Sequence, residues 1–360
     1  MIQRLYVDNF RCLANFEFRP DRVNLILGKN GSGKSTLLEA LKCLAGVLGG
    51  VSPQSIFTRD TLPWWDVRRA QTLELDLVDP GSEAIFAYRI VVQHSSQESP
   101  KVIEERLRLG DQTLLSLEAG AFQLAGVEKA IPFDGTQSVL SLGLGRDPAL
   151  ARFRSSAVNL LVFRLNPWAL DPIAQVEQRM LTVDGANLVA YLRYWSQSAP
   201  EAYVAWRRRV LDGMPHIEDL KLLELAPGSR MLAGVKRVEG GERFLSLGNF
   251  SEGERALLAL HAIVGLKSSD QTIAMDEPDN FLSPSEVQPV LRAFTLEGPS
   301  PPSGQLLVVT HHPESIDYLA AYATWLFERE PDGLTRVRRL KFNRENGERP
   351  TDAVLAELSA

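Results

Sequence analysis

The chain predicts an α/β fold around a sheet buried on both faces, and three segments carry that prediction. Val23-Asn24-Leu25-Ile26-Leu27 runs into the glycine-rich Gly28-Lys29-Asn30-Gly31-Ser32-Gly33-Lys34-Ser35. Gln271-Thr272-Ile273-Ala274-Met275 runs into Asp276-Glu277-Pro278, and Leu306-Leu307-Val308-Val309 into Thr310-His311-His312-Pro313. Short apolar runs of this kind suit strands buried on both faces of a sheet. Each one ends in polar residues with chemistry to offer.

The remaining elements follow in order. Ile2 to Val7 predicts a first strand and Phe16-Glu17-Phe18 a second, with Asp8-Asn9-Phe10-Arg11 between them. After the glycine-rich turn, Leu37, Leu41, Leu44 and Leu48 share one helix face, closed by Gly49-Gly50. From Gln71 to Val92, Leu73, Leu75 and Leu77 alternate with polar residues; Ile85, Phe86, Tyr88, Ile90 and Val92 follow, predicting a hairpin. Val102 to Leu117 reads as more strand. Residues 118–150 lose the pattern among scattered glycines and prolines and are expected to be loop-rich. Residues 174–212 read as helical, with Leu188 to Leu192 and Tyr203 to Leu211 in two runs separated by Pro200. Neither sustains the heptads of a coiled coil.

The glycine-rich turn fits the pattern GxxxxGK[ST] between a strand and a helix, which is the arrangement a phosphate loop requires. Glycines let the backbone N–H groups of Asn30, Gly31, Ser32 and Gly33 turn inward around phosphates, at the positive end of a helix dipole. Lys34 would reach the β- and γ-oxygens, Ser35 would ligate Mg²⁺, and Thr36 would cap the α-phosphate. The expected ligand is a nucleoside triphosphate, ATP, with magnesium.

The later segments supply the rest of such a site. Asp276 at a strand end is expected on the metal side, and Glu277 as the general base for water. His311, at the C-terminal edge of a strand, can reach a γ-phosphate there. Phe250-Ser251-Glu252-Gly253-Glu254-Arg255 opens an apolar helix. Ser251 with Glu254 makes a capping box, and Ser251 with Gly253 also makes an anion site at a helix start.

Composition sets outer bounds. Lys+Arg number 39 against 45 Asp+Glu, a net charge of −6, which counts against a dedicated nucleic-acid coat. Arg207-Arg208-Arg209 and the group Arg336, Arg338, Arg339 and Lys341 are basic clusters on patterns of ordinary solvated faces. Cys12 and Cys43 make no disulfide or metal pattern, and His94, His216 and His261 lie outside metal-ligand spacing. The N-terminus lacks a signal peptide's apolar core, and no apolar run approaches the length of a membrane span. A cytoplasmic protein without membrane contact is expected.

Taken together, these motifs resemble the ATP-binding-cassette ATPase heads of the RecF, structural-maintenance-of-chromosomes and OLD (overcoming lysogenization defect) group. The chain looks most like small "AAA family ATPase" proteins of the OLD-like branch. The likeness runs from Asn9-Phe10-Arg11 through the phosphate loop and Asp184-Gly185-Ala186-Asn187-Leu188. It continues through the signature-like Ser251-Glu252-Gly253-Glu254, then Asp276 to Pro284, and ends at Thr310-His311-His312-Pro313. It implies a P-loop NTPase fold: one ATPase head over residues 1–360, with a mixed sheet. Residues 1–95 would form an N-terminal antiparallel β lobe with the phosphate loop, 96–245 a middle β and helical insertion, and 246–360 a C-terminal lobe.

The resemblance also implies an ATP-dependent head-to-tail homodimer, in which Ser251 and Gly253 of one subunit contact the γ-phosphate held by Lys34 and Ser35 of the other. Asn280 would lie near that seam, His311 would sense the γ-phosphate, and Arg11 would join the nucleotide site. Some features depart from the group. No Q-loop glutamine stands where Phe163-Arg164-Leu165-Asn166-Pro167 lies, no coiled-coil arm is present, and with only a short stretch after Pro313 an OLD nuclease domain is not expected. Regulation of a separate effector, such as a nuclease or toxin in a bacterial defence module, is the first reading. A DNA-binding repair ATPase of RecF type is the alternative, and a transporter ATPase ranks last.

Overall fold

A computed structural model of the chain describes residues 1–82, 84–95, 98–143, 147–266, 271–296, 304–342 and 349–359. The chain opens with β1 (Ile2–Asp8) and β2 (Phe16–Phe18), and β3 (Val23–Gly28) leads through the glycine-rich turn into α1 (Lys34–Leu48). A one-turn α2 (Pro53–Ile56) follows. Then β4 (Ala70–Val78) and β5 (Ile85–Gln93) form the expected hairpin, with alternate residues of β4 buried.

The antiparallel sheet does not stop near residue 95. β6 (Lys101–Leu109), β7 (Gln112–Glu118), β8 (Ala121–Leu124) and β9 (Ile131–Pro132) extend it to eight strands in the order β2-β1-β4-β5-β6-β7-β8-β9. Starting at the end of the stretch read as loop-rich and running beyond it, α3 (Pro148–Val158) is a full helix capped by Asp147, whose carboxylate accepts from the Ala149 N–H at 2.8 Å. Few apolar residues mark it, but Phe153 is buried against Phe86 and Tyr88, so tertiary packing decides its fate.

β10 (Leu160–Phe163) follows, and although it lies within 96–245 it is an edge strand of the central sheet. Residues 174–187 are not helical. β11 (Ile173–Ala174) and turns occupy them, with Gly185 at φ +77° in the Asp184-Gly185 turn. Helix begins only at α4 (Leu188–Ser198), and Pro200 starts α5 (Pro200–Gly213), where its missing N–H costs nothing. β12 (Asp219–Ala226), β13 (Ser229–Val238) and β14 (Gly241–Ser246) join β11 in a small antiparallel sheet.

The C-terminal third supplies α6 (Glu252–Leu266), β15 (Thr272–Asp276), α7 (Pro284–Leu296), β16 (Gln305–Val309) and α8 (Pro313–Leu319). It closes with β17 (Ala323–Arg329), β18 (Thr335–Leu340) and α9 (Pro350–Ser359). The central sheet runs β10-β15-β16-β3-β17-β18, parallel except for the last pair. Alternate residues of its strands enter two different cores. Val23, Leu25, Leu27, Ile273, Met275, Leu306 and Val308 pack on one side; Ile26, Ala274, Leu307 and Val309 pack on the other. Each such branched side chain contributes about 1.5–3 kcal/mol by leaving water, which explains why these strands read as mostly apolar runs.

Candidate functional site

Parallel pairing brings the chemistry to one edge. Register sets Val309 opposite both Asp276 and Ile26, and Phe163 opposite Met275. The glycine-rich turn, the acid pair, the Thr310-His311 turn and Arg164 therefore all leave the C-terminal ends of neighbouring strands, where open α/β sheets bind ligands.

The glycine-rich turn is held from outside. Thr335 on β18 donates its hydroxyl to the Ser32 carbonyl at 2.9 Å, and its N–H to the Cys12 carbonyl at 3.0 Å. Glycine is required at two positions for packing reasons. At Gly28 (φ +151°) a Cβ would fall 2.3 Å from the Phe327 carbonyl oxygen; at Gly33 (φ +102°) it would fall 2.5 Å from Thr335 Oγ1. Gly33 caps α1 in the left-handed conformation, and no side chain among the described residues caps the helix's first N–H groups. Lys34 is only 6% exposed, and its Nζ donates to the carbonyls of Gly28 (2.7 Å) and Lys29 (3.1 Å). Burial lowers its pKa, while the fields of Glu277 and Asp276 oppose that shift.

A cavity of about 930 Å³ opens over this loop. Its walls include Arg11, the whole run from Asn30 to Thr36, and Glu277. Cation, hydroxyls, uncapped helix N–H groups and a carboxylate thus converge on one space, which fits a magnesium–triphosphate. Arg11, at φ +49°, pairs with Glu39 of α1 at 2.6 Å, and its N–H donates to the Thr61 carbonyl at 2.7 Å.

Glu277 stands in a strained backbone conformation, φ +49°, fixed by its N–H bond to the Val309 carbonyl at 2.8 Å. Asn280 Nδ2 donates to Glu277 Oε2 at 2.6 Å, leaving Oε1 toward His311, whose Nε2 is 4.0 Å away. Burial and the nearby Lys34 lower the His311 pKa, which favours the neutral ring. Asp276 is buried, with Arg164 Nε 3.8 Å from its Oδ2. Asp279, next in the same run, is buried and accepts from the hydroxyls of Thr310 (2.6 Å) and Ser315, tying the acid loop to the histidine turn. His312 caps α8 through Nδ1, which accepts from the Glu314 N–H at 3.2 Å.

Ser251 and Gly253 are placed elsewhere. They do not line the cavity, and Ser251 is exposed in a complete capping box with Glu254. Gly253 packs near the acid loop, since a Cβ there would lie 3.0 Å from the Phe281 carbonyl oxygen. The Asp184-Gly185-Ala186-Asn187 motif braces the segment that holds Arg164: Arg164 N–H bonds the Val183 carbonyl at 2.8 Å and Asn166 N–H the Asp184 carbonyl at 3.0 Å.

Sequence reasoning missed the far wall of the cavity, built by Leu62, Pro63, Trp64, Trp65, Val67 and Arg329. The adjacent tryptophans after a proline were the available signal. Three residues of the two basic clusters are paired with carboxylates. Arg338 bonds Glu328 and Glu357, Arg339 bonds Asp21, and Arg207 lies 3.1 Å from Asp219.

Two family models match the chain. Residues 4–129 match one described as "AAA domain", and residues 155–317 match one described as "AAA domain, putative AbiEii toxin, Type IV TA system". No curated protein matches. The two matches support a P-loop ATPase of the AAA type, with a mixed α/β fold and nucleotide hydrolysis as its activity. Among the described residues no helix is long and apolar enough to cross a membrane.

Proposed function

We propose that the chain binds ATP with Mg²⁺ across the first turn of α1, hydrolyses it, and uses the cycle to close and open a head-to-tail dimer. The observation that carries this reading is the convergence of Lys34, the uncapped start of α1 and Glu277 on one cavity. Lys34 holds the β- and γ-phosphate oxygens, and Ser35 and Asp276 hold the metal, which neutralises phosphate charge when bound. Glu277, oriented by Asn280, accepts the proton of the attacking water. His311 reads the γ-phosphate from beside Glu277. Ser251 and Gly253 complete the partner's site.

The output passes to a separate effector protein, such as a nuclease or toxin in a bacterial defence module. The words "toxin" and "TA system" in one matching description favour this over DNA repair, and so do the carboxylates paired with Arg207, Arg338 and Arg339 in the basic clusters. Glu277→Gln should bind ATP yet turn it over roughly 10²- to 10⁴-fold more slowly, the usual worth of a general base. Light scattering of that variant with Mg²⁺ and ATP should show a dimer, which adding Ser251→Arg abolishes. Hydrolysis at the parent rate would contradict the assignment, and a monomer in both samples would remove the dimer.

A further inference from the structure

Trp64 and Trp65 share the cavity with the phosphate loop but have no part in phosphate chemistry. The segment that carries them is fixed from below by two fully buried amides. Asn9 Nδ2 donates to the carbonyls of Arg68 (3.1 Å) and Ala70 (2.8 Å), while Gln71 Nε2 donates to those of Thr61 (2.8 Å) and Asn9 (3.0 Å). From the other side the Arg329 guanidinium lies over the Trp65 ring, 5.7 Å from its centroid, and donates to the Gly31 carbonyl at 3.2 Å. Arg329 therefore ties Trp65 to the phosphate loop itself.

Trp65 in turn sets Trp64, whose ring stands edge-on to it at 5.5 Å and 90°. Trp64 is 88% exposed, an unusual position for so large an apolar surface in a segment held this firmly. The cavity is also larger than a phosphate chain alone needs, and falls in the range of whole small-molecule sites.

Building on the nucleotide reading above, we propose that Trp64 is the stacking platform for the base of a purine nucleoside triphosphate. Trp65 and Arg329 are positioning residues that hold the platform at a fixed offset from the phosphate loop. Stacking reads ring area, so the larger purine gains more than a pyrimidine.

Calorimetric titration of the full chain with Mg·ATP, Mg·CTP and magnesium tripolyphosphate tests this, because the last probe has phosphates and no base. Trp64→Ala should weaken ATP binding roughly 5- to 150-fold, the range for losing one base–aromatic stack. It should weaken CTP less and leave tripolyphosphate unchanged, and Trp64→Phe should recover most of the loss. Substituting so exposed a side chain does not threaten the fold. Unchanged ATP affinity in Trp64→Ala, or an equal loss for tripolyphosphate, would overturn the stacking platform and leave the phosphate site standing. A parent protein that binds none of the three probes would overturn both readings together.

Discussion

The first turns of α1 and α6 present the same set of unsatisfied N–H groups and the same positive dipole end, and the chain treats them in opposite ways. At α6, Ser251 Oγ accepts from the Glu254 N–H (3.3 Å), and Glu254 Oε2 accepts from the Ser251 N–H (2.6 Å). Glu254 also pairs with His216 at 2.7 Å. That helix start brings its own carboxylate. At α1 the cap is Gly33, no side chain among the described residues caps the N–H groups, and the first helical residue is the cation Lys34. A helix start without an internal anion, lined by a lysine and opening on a cavity, is prepared for an external one. The difference also bears on dimerisation, because a partner's γ-phosphate could reach Ser251 only by displacing Glu254 from its box.

Removing the cation should have the largest effect on this contrast. Lys34→Ala deletes charged hydrogen bonds, each worth about 1.5–3 kcal/mol, so ATP affinity measured by titration should fall at least roughly tenfold. A smaller effect is expected at the other helix. Ser251→Ala removes an N-cap worth about 1 kcal/mol, which should lower the thermal midpoint by at most a few degrees. ATP affinity at monomer concentrations should stay at the parent value. If Ser251→Ala weakened ATP binding in a monomer, the two helix starts would have to share one site within the same subunit.

Both helix starts were legible in the sequence, because a phosphate loop and a capping box are local patterns set by a few adjacent residues. The acid pair and the histidine turn were legible for the same reason: each ends an apolar strand. What brings them together was not. β3 lies between β16 and β17, strands from the far end of the chain, and nothing local to Val23–Gly28 states those neighbours. The extent of the antiparallel sheet was hidden too, since β8 and β9 are short and sit among glycines. α3 escaped notice because its buried face rests on few residues, chiefly Leu150 and Phe153. Residues 174–187 were read as helix although Asp184-Gly185 forms a turn, which shows how a polar stretch can borrow a neighbour's periodicity. Arg329 could not be foreseen at all, since it meets the phosphate loop across almost the whole length of the chain.

Amide hydrogen exchange compares the two helix starts in a single experiment. The chain would be followed with and without Mg·ATP, dilute enough to remain monomeric by light scattering. Residues 30–37 should gain protection as their N–H groups close on phosphate, and residues 252–255 should exchange at the same rate in both samples. Unchanged exchange at 30–37, or equal added protection at 252–255, would contradict the claim that the uncapped start of α1 is where the nucleotide is held.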